Sequence, residues 1–319
     1  MTTCVVLLEP ASAAAAGELV TAARRLGTVI GLVLARDAES GSAALVDALG
    51  AHGVSRVLRA VPDADPLAPA VVAECVVAAV RASDDVVAVL APASPAFHEV
   101  AGRVAVATRG AVVTDVEDVT VADGTLRVAK QVLAGAWTST VEVTATPVTL
   151  TLKPRAIKAD EVPPVSPEVV DLPVACGPAA RAARVTQTVH QATGRPPLTS
   201  ADVVVVAGRG VDRQMSLVTD LADELGAAVG ATRVVVDEGW ADHDLLVGQT
   251  GVSVAPRLYI GAGVSGQVHH RGGMQAASTV VAINTDPDAP IFEHADYGIV
   301  GDVAKVLPQL TTELHRLRS

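Results

Sequence analysis

The stretch Leu258-Tyr-Ile-Gly-Ala-Gly-Val-Ser-Gly266 decides how this chain folds, because a short apolar run passes directly into three glycines spaced as G-x-G-x-x-G. A run of this kind predicts a buried strand, and the residues after Gly266 suit the start of a helix. Glycines in such a loop let the backbone approach a pyrophosphate closely. The stretch therefore predicts a dinucleotide-binding loop, although a purely structural strand-to-helix corner carries glycines as well.

The residues around this loop repeat the same order of strand, loop and helix. Asp202–Val206 and Thr279–Ile283 are apolar runs that predict further strands, and Asp286 lies about 20 residues beyond Gly266, where such folds place a polar group on a ribose. Other polar residues follow predicted strands, and in an open α/β sheet such loops converge on the ligand. They are Arg209, Thr232 with Arg233, and Gln249 with Thr250. A surface arginine, a helix cap and an ordinary turn are the alternative interpretations of these three positions.

The first half of the chain alternates β-branched runs with Ala-rich helical stretches, which is typical of parallel strands joined by crossover helices. The pattern predicts strands at Cys4–Leu8, Val29–Leu34, Val54–Leu58 and Asp85–Leu90, and helices near Ala13–Leu26, Ala43–Leu49 and Leu67–Arg81. From Ala111 to Leu152 a period of two with turn signals predicts an antiparallel extension.

The later segments complete the predicted domain layout. Eight prolines between Lys153 and Ser200 discourage regular core structure and predict a linker. Val303–Arg318 carries an apolar helical stripe that we expect Pro308 to interrupt, and that could pack on its own domain or on another chain. The predicted layout is an N-terminal α/β domain at residues 1–155, a Pro-rich linker at 156–200, a Rossmann-like parallel-sheet domain at 201–302 and a tail helix at 303–319.

Composition excludes several classes of function. A length of 319 residues suits two domains, and the formal charge of −11 argues against nucleic acid as a partner. No apolar stretch reaches the roughly 18–20 residues needed to cross a bilayer, so we expect no membrane insertion. The N-terminus lacks the pattern of a signal or transit peptide, which favours a bacterial cytoplasm. Cys4, Cys75 and Cys176 have no metal-site spacing, so we expect reduced structural thiols.

Two adjacent histidines raise the question of a metal site. His269 and His270 would point in divergent directions on a helix, and no Cys or carboxylate stands at partner spacing. No Ser/His/Asp arrangement or framed carboxylate pair is evident either, although a dispersed constellation stays possible from one sequence. The pattern favours binding over bond-making chemistry.

Three further features of the second half belong together: Gly248-Gln-Thr-Gly251, the glycine stretch from Leu258 through Gly266 with His270, and Val281-Ala-Ile-Asn-Thr-Asp-Pro-Asp-Ala-Pro-Ile-Phe292 followed by Ala295-Asp-Tyr-Gly-Ile-Val-Gly-Asp302. Together these segments resemble the FAD-binding domain of electron-transfer flavoprotein alpha subunits. The resemblance extends more weakly through the first domain. The loop after Gly208-Arg-Gly210 is shorter than the family's, and Arg271 replaces a small or apolar residue.

The resemblance implies a cofactor, FAD, and roles for individual residues. Arg233, Thr250 and His270 would lie around the isoalloxazine ring, with His270 raising its first reduction potential. Arg209, Gln249, Ser265 and Gly266 would serve the ribityl and phosphate region, and Asn284 and Asp302 the adenosine end. The neighbouring positions expected to contact the cofactor are Thr232, Gly248, Gly263, Val264, Gln267 and His269.

The resemblance also implies a mode of action. Such a chain would be an electron carrier rather than an enzyme, working as a heterodimer with a beta subunit that carries AMP. Its electrons would come from dehydrogenases, such as those acting on acyl-CoA thioesters, and pass to a quinone-linked oxidoreductase. A nicotinamide-dependent oxidoreductase and a flavin-free paralogous subunit are the alternatives.

Overall fold

A computed structural model describes residues 2–35, 42–133, 135, 137–187 and 194–318. The chain divides into two compact units, one comprising Met1–Val132 and Trp137–Val189 and the other Leu133–Ala136 and His190–Ser319. The predicted fold class is confirmed, since each unit is built on a parallel sheet and an antiparallel sheet extends the first.

The first unit is an open α/β sheet of seven parallel strands in the order β10-β3-β2-β1-β4-β9-β5. Successive residues of β1 face two different cores, because Val6 packs with helices α1 and α2 while Val5 packs with α3 and α4. A strand buried on both faces reads as a continuous apolar run. The elements are β1 (Thr3–Leu8), α1 (Ala16–Arg24), β2 (Thr28–Leu34), α2 (Ala43–Ala51), β3 (Arg56–Pro62), α3 (Pro69–Arg81), β4 (Val86–Pro92), α4 (Pro95–Thr108), β5 (Ala111–Val116), β6 (Asp118–Ala122), β7 (Thr125–Val132), β8 (Trp137–Val143), β9 (Val148–Leu152) and β10 (Glu168–Val174).

The antiparallel extension is smaller than the sequence predicts. Strands β6, β7 and β8 form it, but β5 and β9 pair in parallel within the main sheet. Alternation of apolar and polar residues indicates which face of a strand is exposed, but it does not indicate whether neighbouring strands run parallel or antiparallel. The prediction of an antiparallel extension is therefore wrong for β5 and β9. The five residues of β9 are all buried, as expected for a strand inside a parallel sheet.

Regular structure also occurs in the segment predicted to be a linker. Strand β10 pairs in parallel with β3, and Pro173 stands opposite Val61. The expectation of no regular core structure is therefore wrong for Glu168–Val174. Because β10 is an edge strand with one neighbour, a residue without an N–H group costs it little.

The second unit is a five-stranded parallel sheet in the order β12-β11-β13-β14-β15. Strand β11 is covered on both faces, since Val205 packs with α5 and α8 while Val206 lies in a second core with Met274 of α7. The elements are β11 (Val203–Ala207), α5 (Met215–Leu225), β12 (Ala228–Ala231), α6 (Arg233–Asp237), β13 (Leu258–Ala262), α7 (Val268–Met274), β14 (Val280–Asn284), β15 (Tyr297–Val300) and α8 (Val303–Arg318).

The C-terminal helix runs without a break through Pro308, so the predicted interruption is wrong. Pro308 has no N–H group to donate to the carbonyl of the preceding helical turn. Because Pro308 is exposed, that carbonyl is accessible to water. The opposite face holds the helix in place, because Val303 and Leu307 are buried in the core of this unit and Leu310 and Leu314 pack against it. The stripe therefore packs on its own domain.

Two further expectations concern membranes and thiols. Within the described residues, no helix is long and apolar enough to cross a membrane. Cys4, Cys75 and Cys176 are free and buried, and burial raises the pKa of the first two thiols to about 12 and that of Cys176 to about 11. Such thiols are poor nucleophiles at neutral pH, which fits a structural role.

Candidate functional site

The carboxyl ends of β11, β13 and β14 bring the predicted loops together. Strand β11 lies between β12 and β13, so the chain passes from one side of β11 to the other at this point. Open α/β sheets bind ligands in the crevice that forms at such a reversal. The Arg209 loop follows β11, the glycine loop follows β13, and Asn284 ends β14.

Backbone contact between two of these loops explains the central glycine. Gly263 has a φ of +66°, and a Cβ atom there would lie 2.6 Å from the Cα atom of Gly210. The Gly210 N–H donates to the Gly263 carbonyl at 3.2 Å, and the Gly208 N–H donates to the Ala262 carbonyl at 2.8 Å. Two strand ends therefore meet backbone to backbone, with no side chain between them.

The glycine loop is held from its other side by the segment after β14. The Nδ2 atom of Asn284 donates to the Val264 carbonyl at 2.8 Å, and the Ile291 N–H donates to the Ser265 carbonyl at 3.0 Å. Gly266 has a φ of +80° and lies against the Ile291 backbone. The side chain of Val264 is buried in the core with Ile291. The contact with a ligand that the sequence predicts for Val264 would therefore have to come from its backbone.

A second group of polar side chains joins the 247–252 loop to α6 and α7. The Nδ1 atom of His269 lies 2.8 Å from Oε1 of Gln249, and the Gln249 N–H donates to the His269 carbonyl at 2.8 Å. Arg233 donates through Nη2 to the hydroxyl of Thr250. All four side chains are exposed or half-buried, which leaves them accessible to a ligand. The Gly248 N–H closes the loop on the Val252 carbonyl at 3.2 Å.

His270 differs sharply from its neighbour, because only 8% of it is exposed. Its Nδ1 atom lies 3.0 Å from the Val247 carbonyl oxygen and its Nε2 atom 2.6 Å from the hydroxyl of Tyr259. Burial lowers the pKa of His270 to about 4, so the ring is neutral at pH 7. Both nitrogens are engaged within the protein, so a hydrogen bond from His270 to a bound ring would need one of these bonds to be given up.

Three predicted residues begin helices. Thr232 is the cap of α6 and joins β11 through a bond from its N–H to the Ala207 carbonyl at 2.9 Å. Gln267 stands before α7, and its carbonyl accepts from the N–H groups of His270 and Arg271. Asp302 accepts from the Ala304 N–H through Oδ1 at 2.9 Å at the start of α8. A capping role for Asp302 is visible, and Gly301 beside it donates to the Asn284 carbonyl at 2.9 Å.

Arg209 supplies positive charge at this edge. Its side chain is exposed, and it has no ion-pair or hydrogen-bond partner among the residues that the structure describes. Ser265 is exposed on the facing loop, beside Gly263. A guanidinium without a partner, an exposed hydroxyl and a loop of glycine backbone suit the phosphates of a dinucleotide.

A cleft of about 610 Å³ elsewhere in this unit fits a dinucleotide less well. Asp242 and Asp244 line it, and the cation Arg195 at its margin is held by Asp223 at 2.6 Å. An acidic cleft whose arginine is paired repels phosphate, so the open edge of the sheet remains the better site. None of the predicted site residues lines this cleft.

Sequence reasoning missed the contacts of three residues in this unit. Tyr259 is fully buried and bonds His270, while Nη1 of Arg271 lies 3.0 Å from Nε2 of His294 and so ties α7 to the segment after β14. The sequence signal for Tyr259 was its position inside an apolar run, because a buried tyrosine hydroxyl needs a hydrogen-bond partner. Within the described ranges, no three His, Cys, Asp or Glu residues are grouped to hold a metal ion.

Comparison with known families accounts for most of the chain. Residues 11–189 match the electron transfer flavoprotein domain, and residues 197–275 match the electron transfer flavoprotein FAD-binding domain. Asn284 and Asp302 lie beyond the second match.

Individual relatives agree with this assignment. Electron transfer flavoprotein subunit alpha of Mycobacterium leprae is 39% identical over 298 residues, which cover 92% of this chain and 91% of the relative. The subunit alpha of Mycobacterium tuberculosis H37Rv is 40% identical over 317 residues, or 98% of each chain. Protein FixB of Azotobacter vinelandii is 44% identical over 164 residues, which cover 50% of this chain and 46% of the relative.

Proposed function

Because the chain belongs to the electron transfer flavoprotein alpha-subunit family and carries its FAD-binding domain, we propose that it holds one non-covalent FAD and transfers electrons between proteins. The cofactor would lie at the carboxyl edge of the second sheet. The observation that supports this placement best is the backbone contact of Gly263 with Gly210, next to the exposed Arg209.

We assign the phosphate and ribityl region to the glycine loop and its neighbours. Arg209 can give charge-assisted hydrogen bonds to phosphate oxygens, and Gly263 and Gly266 keep the backbone open to them. Ser265 in that loop and Gln249 in the 247–252 loop offer neutral polar groups, with Gly248, Val264, Gln267 and Thr232 contributing through backbone or cap positions.

The remaining assignments follow the two ends of the cofactor. Arg233 and Thr250, which contact each other, would lie by the isoalloxazine ring with His269 and His270 nearby. Asn284 and Asp302 would serve the adenosine end, where Asn284 already orients the glycine loop.

The proposed chemistry is transfer without substrate turnover. Bound FAD supplies the reversible uptake of electrons, and the chain binds it, orients it and sets the charge around it. In this proposal the chain works with a beta-type subunit that carries AMP, accepts electrons from dehydrogenases and delivers them to a quinone-linked oxidoreductase. The apolar face of α8 is used within its own unit, so the partner surface must lie elsewhere.

Co-expression with a beta-type subunit tests the proposal. The purified complex should show flavin absorption bands, and acid precipitation should release intact FAD at about one per alpha chain. Release of NAD would favour a nicotinamide-dependent oxidoreductase instead, and a complex that purifies without cofactor and does not take up added FAD would favour a flavin-free subunit. Either result would overturn the proposal.

A further inference from the structure

The buried hydroxyl of Tyr259 forms one end of a chain of hydrogen bonds. Tyr259 lies in β13, the middle strand of its sheet, and is fully buried. A buried hydroxyl without a partner is destabilising, and the partner that the structure gives it is Nε2 of His270 at 2.6 Å. Burial raises the pKa of the phenol, so the hydroxyl keeps its proton and can donate it.

The direction of this chain is fixed by its other end. The Val247 carbonyl can only accept, so Nδ1 of His270, at 3.0 Å, must carry the hydrogen. In a neutral imidazole the other nitrogen then has a lone pair, and the Tyr259 hydroxyl donates to it. The bonds therefore run from Tyr259 to His270 and on to Val247.

Val247 begins the loop that carries Gln249 and Thr250. Hydrogen bonds join the loop to α7 at Val247, whose carbonyl accepts from His270, and at Gln249, whose N–H donates to the His269 carbonyl and whose Oε1 lies 2.8 Å from Nδ1 of His269. Just after the loop, the Val254 N–H donates to the Gly273 carbonyl at 2.7 Å. The bond at Val247 depends on the tautomer of His270. If the hydrogen of His270 moved to Nε2, two lone pairs would face each other at Val247 and this attachment would be lost.

We propose that Tyr259 is a positioning residue, whose hydroxyl holds His270 in the Nδ1–H tautomer and so fixes the 247–252 loop against α7. The residue touches no ligand and acts through His270. What the loop presents to FAD rests on the proposed function above. The hydrogen-bond chain itself is a property of the protein without cofactor.

The protein has two tyrosines, Tyr259 and Tyr297, and substituting each of them gives a matched test. Tyr259→Phe removes the donor and leaves the ring, while Tyr297→Phe makes the same change at a side chain that is 67% exposed in β15. Nitrogen NMR of labelled histidine, with His270 assigned from a His270→Gln variant, reports the tautomer and the pKa. Titration of deflavinated protein with FAD reports the dissociation constant.

We expect His270 of the wild type to be the Nδ1–H tautomer. In Tyr259→Phe we expect a mixture of tautomers and a higher pKa, because the bond that favours the unprotonated Nε2 is gone. The dissociation constant for FAD should rise about five- to tenfold, the size of one lost neutral hydrogen bond, and Tyr297→Phe should match the wild type.

An Nε2–H tautomer in the wild type would overturn the inference, and that measurement decides even if Tyr259→Phe does not fold. A folded Tyr259→Phe with unchanged tautomer, pKa and FAD affinity would overturn it too. Failure of the wild type to bind FAD would count against the proposed function alone, since the tautomer is measured without cofactor.

Discussion

At the scale of single residues, two neighbouring histidines of α7 differ in burial. His269 is exposed and holds Gln249, whereas His270 is buried between Val247 and Tyr259. A helix turns by about 100° per residue, so adjacent side chains leave it in different directions. One of the two side chains therefore reaches the surface, and the other lies in the core beside the hydroxyl of Tyr259.

The buried His270 makes stability depend on acidity. Its pKa is about 4 in the folded chain, against an ordinary value of about 6.5 in the unfolded chain. The unfolded state therefore binds more protons between these values, so stability is retained above pH 6.5 and falls as the pH drops toward 4. The loss from this group is about 3 kcal/mol at most.

Urea unfolding of wild type and His270→Gln across pH 4 to 8 measures this effect. The wild type should lose more stability than the variant over the acidic part of the range, because glutamine binds no proton there. Parallel pH profiles for the two proteins would show that His270 does not titrate as its burial requires.

Replacing Gly263, the glycine at the centre of the site, should destabilise the protein for two reasons: a side chain would contact Gly210, and the positive φ is unfavourable for any other residue. Gly263→Ala adds a Cβ atom 2.6 Å from Gly210, while Gly226→Ala tests a positive φ of +63° with no atom within 4 Å. We expect about 1–2 kcal/mol of lost stability for Gly226→Ala. Gly263→Ala should lose a further 1–3 kcal/mol or so, together with FAD affinity.

Denaturant unfolding and FAD titration of both variants make the comparison. Equal losses of stability in the two variants, with FAD affinity kept in Gly263→Ala, would mean that neither stability nor FAD binding depends on the close contact between the two loops.

At the scale of elements, the strands were predicted better than their pairing. The glycine loop between β13 and α7 is confirmed, because the apolar run, the three glycines and the helix that follows are local features of the sequence. Strand β10 was missed, since proline counts describe a segment and cannot show that Pro173 stands on a free edge. The prediction that Pro308 interrupts α8 was wrong for the same reason. The exposed position of Pro308 and the buried face opposite it depend on tertiary packing, which the sequence pattern does not show.

The packing of α8 gives an element-scale prediction. Leu307 is fully buried against α5 and the sheet, whereas Leu317 on the same helix is 67% exposed. Leu307→Ala should lower the free energy of unfolding by about 2–5 kcal/mol, as expected for a core leucine. Leu317→Ala should change it by less than about 0.5 kcal/mol.

Chemical unfolding of the two variants in the same buffer checks this difference. Similar small losses would mean that the stripe does not pack in its own unit and would reopen it as a surface for another chain.

At the scale of the whole molecule, the site depends on residues far apart in sequence. Arg209, Thr250, Ser265 and Asn284 follow four different strands or loops, and the parallel sheet brings those segments to one edge. Their convergence could be predicted from the rule that ligands bind at carboxyl ends of strands. Their individual partners could not, because side-chain pairs such as Arg233 with Thr250 depend on the fold of a loop rather than on its sequence pattern.

In our proposal FAD lies at the edge formed by the carboxyl ends of β11, β13 and β14, and substitution of Arg209 tests this placement. Deflavinated wild type, Arg209→Ala and Arg257→Ala are titrated with FAD. Arg257 is an equally exposed arginine that precedes β13, at the opposite end of that strand. Loss of charge-assisted bonds to phosphate should weaken FAD binding by about 10- to 100-fold in Arg209→Ala, and Arg257→Ala should bind as the wild type does. Equal affinities for the two variants would contradict the proposed site.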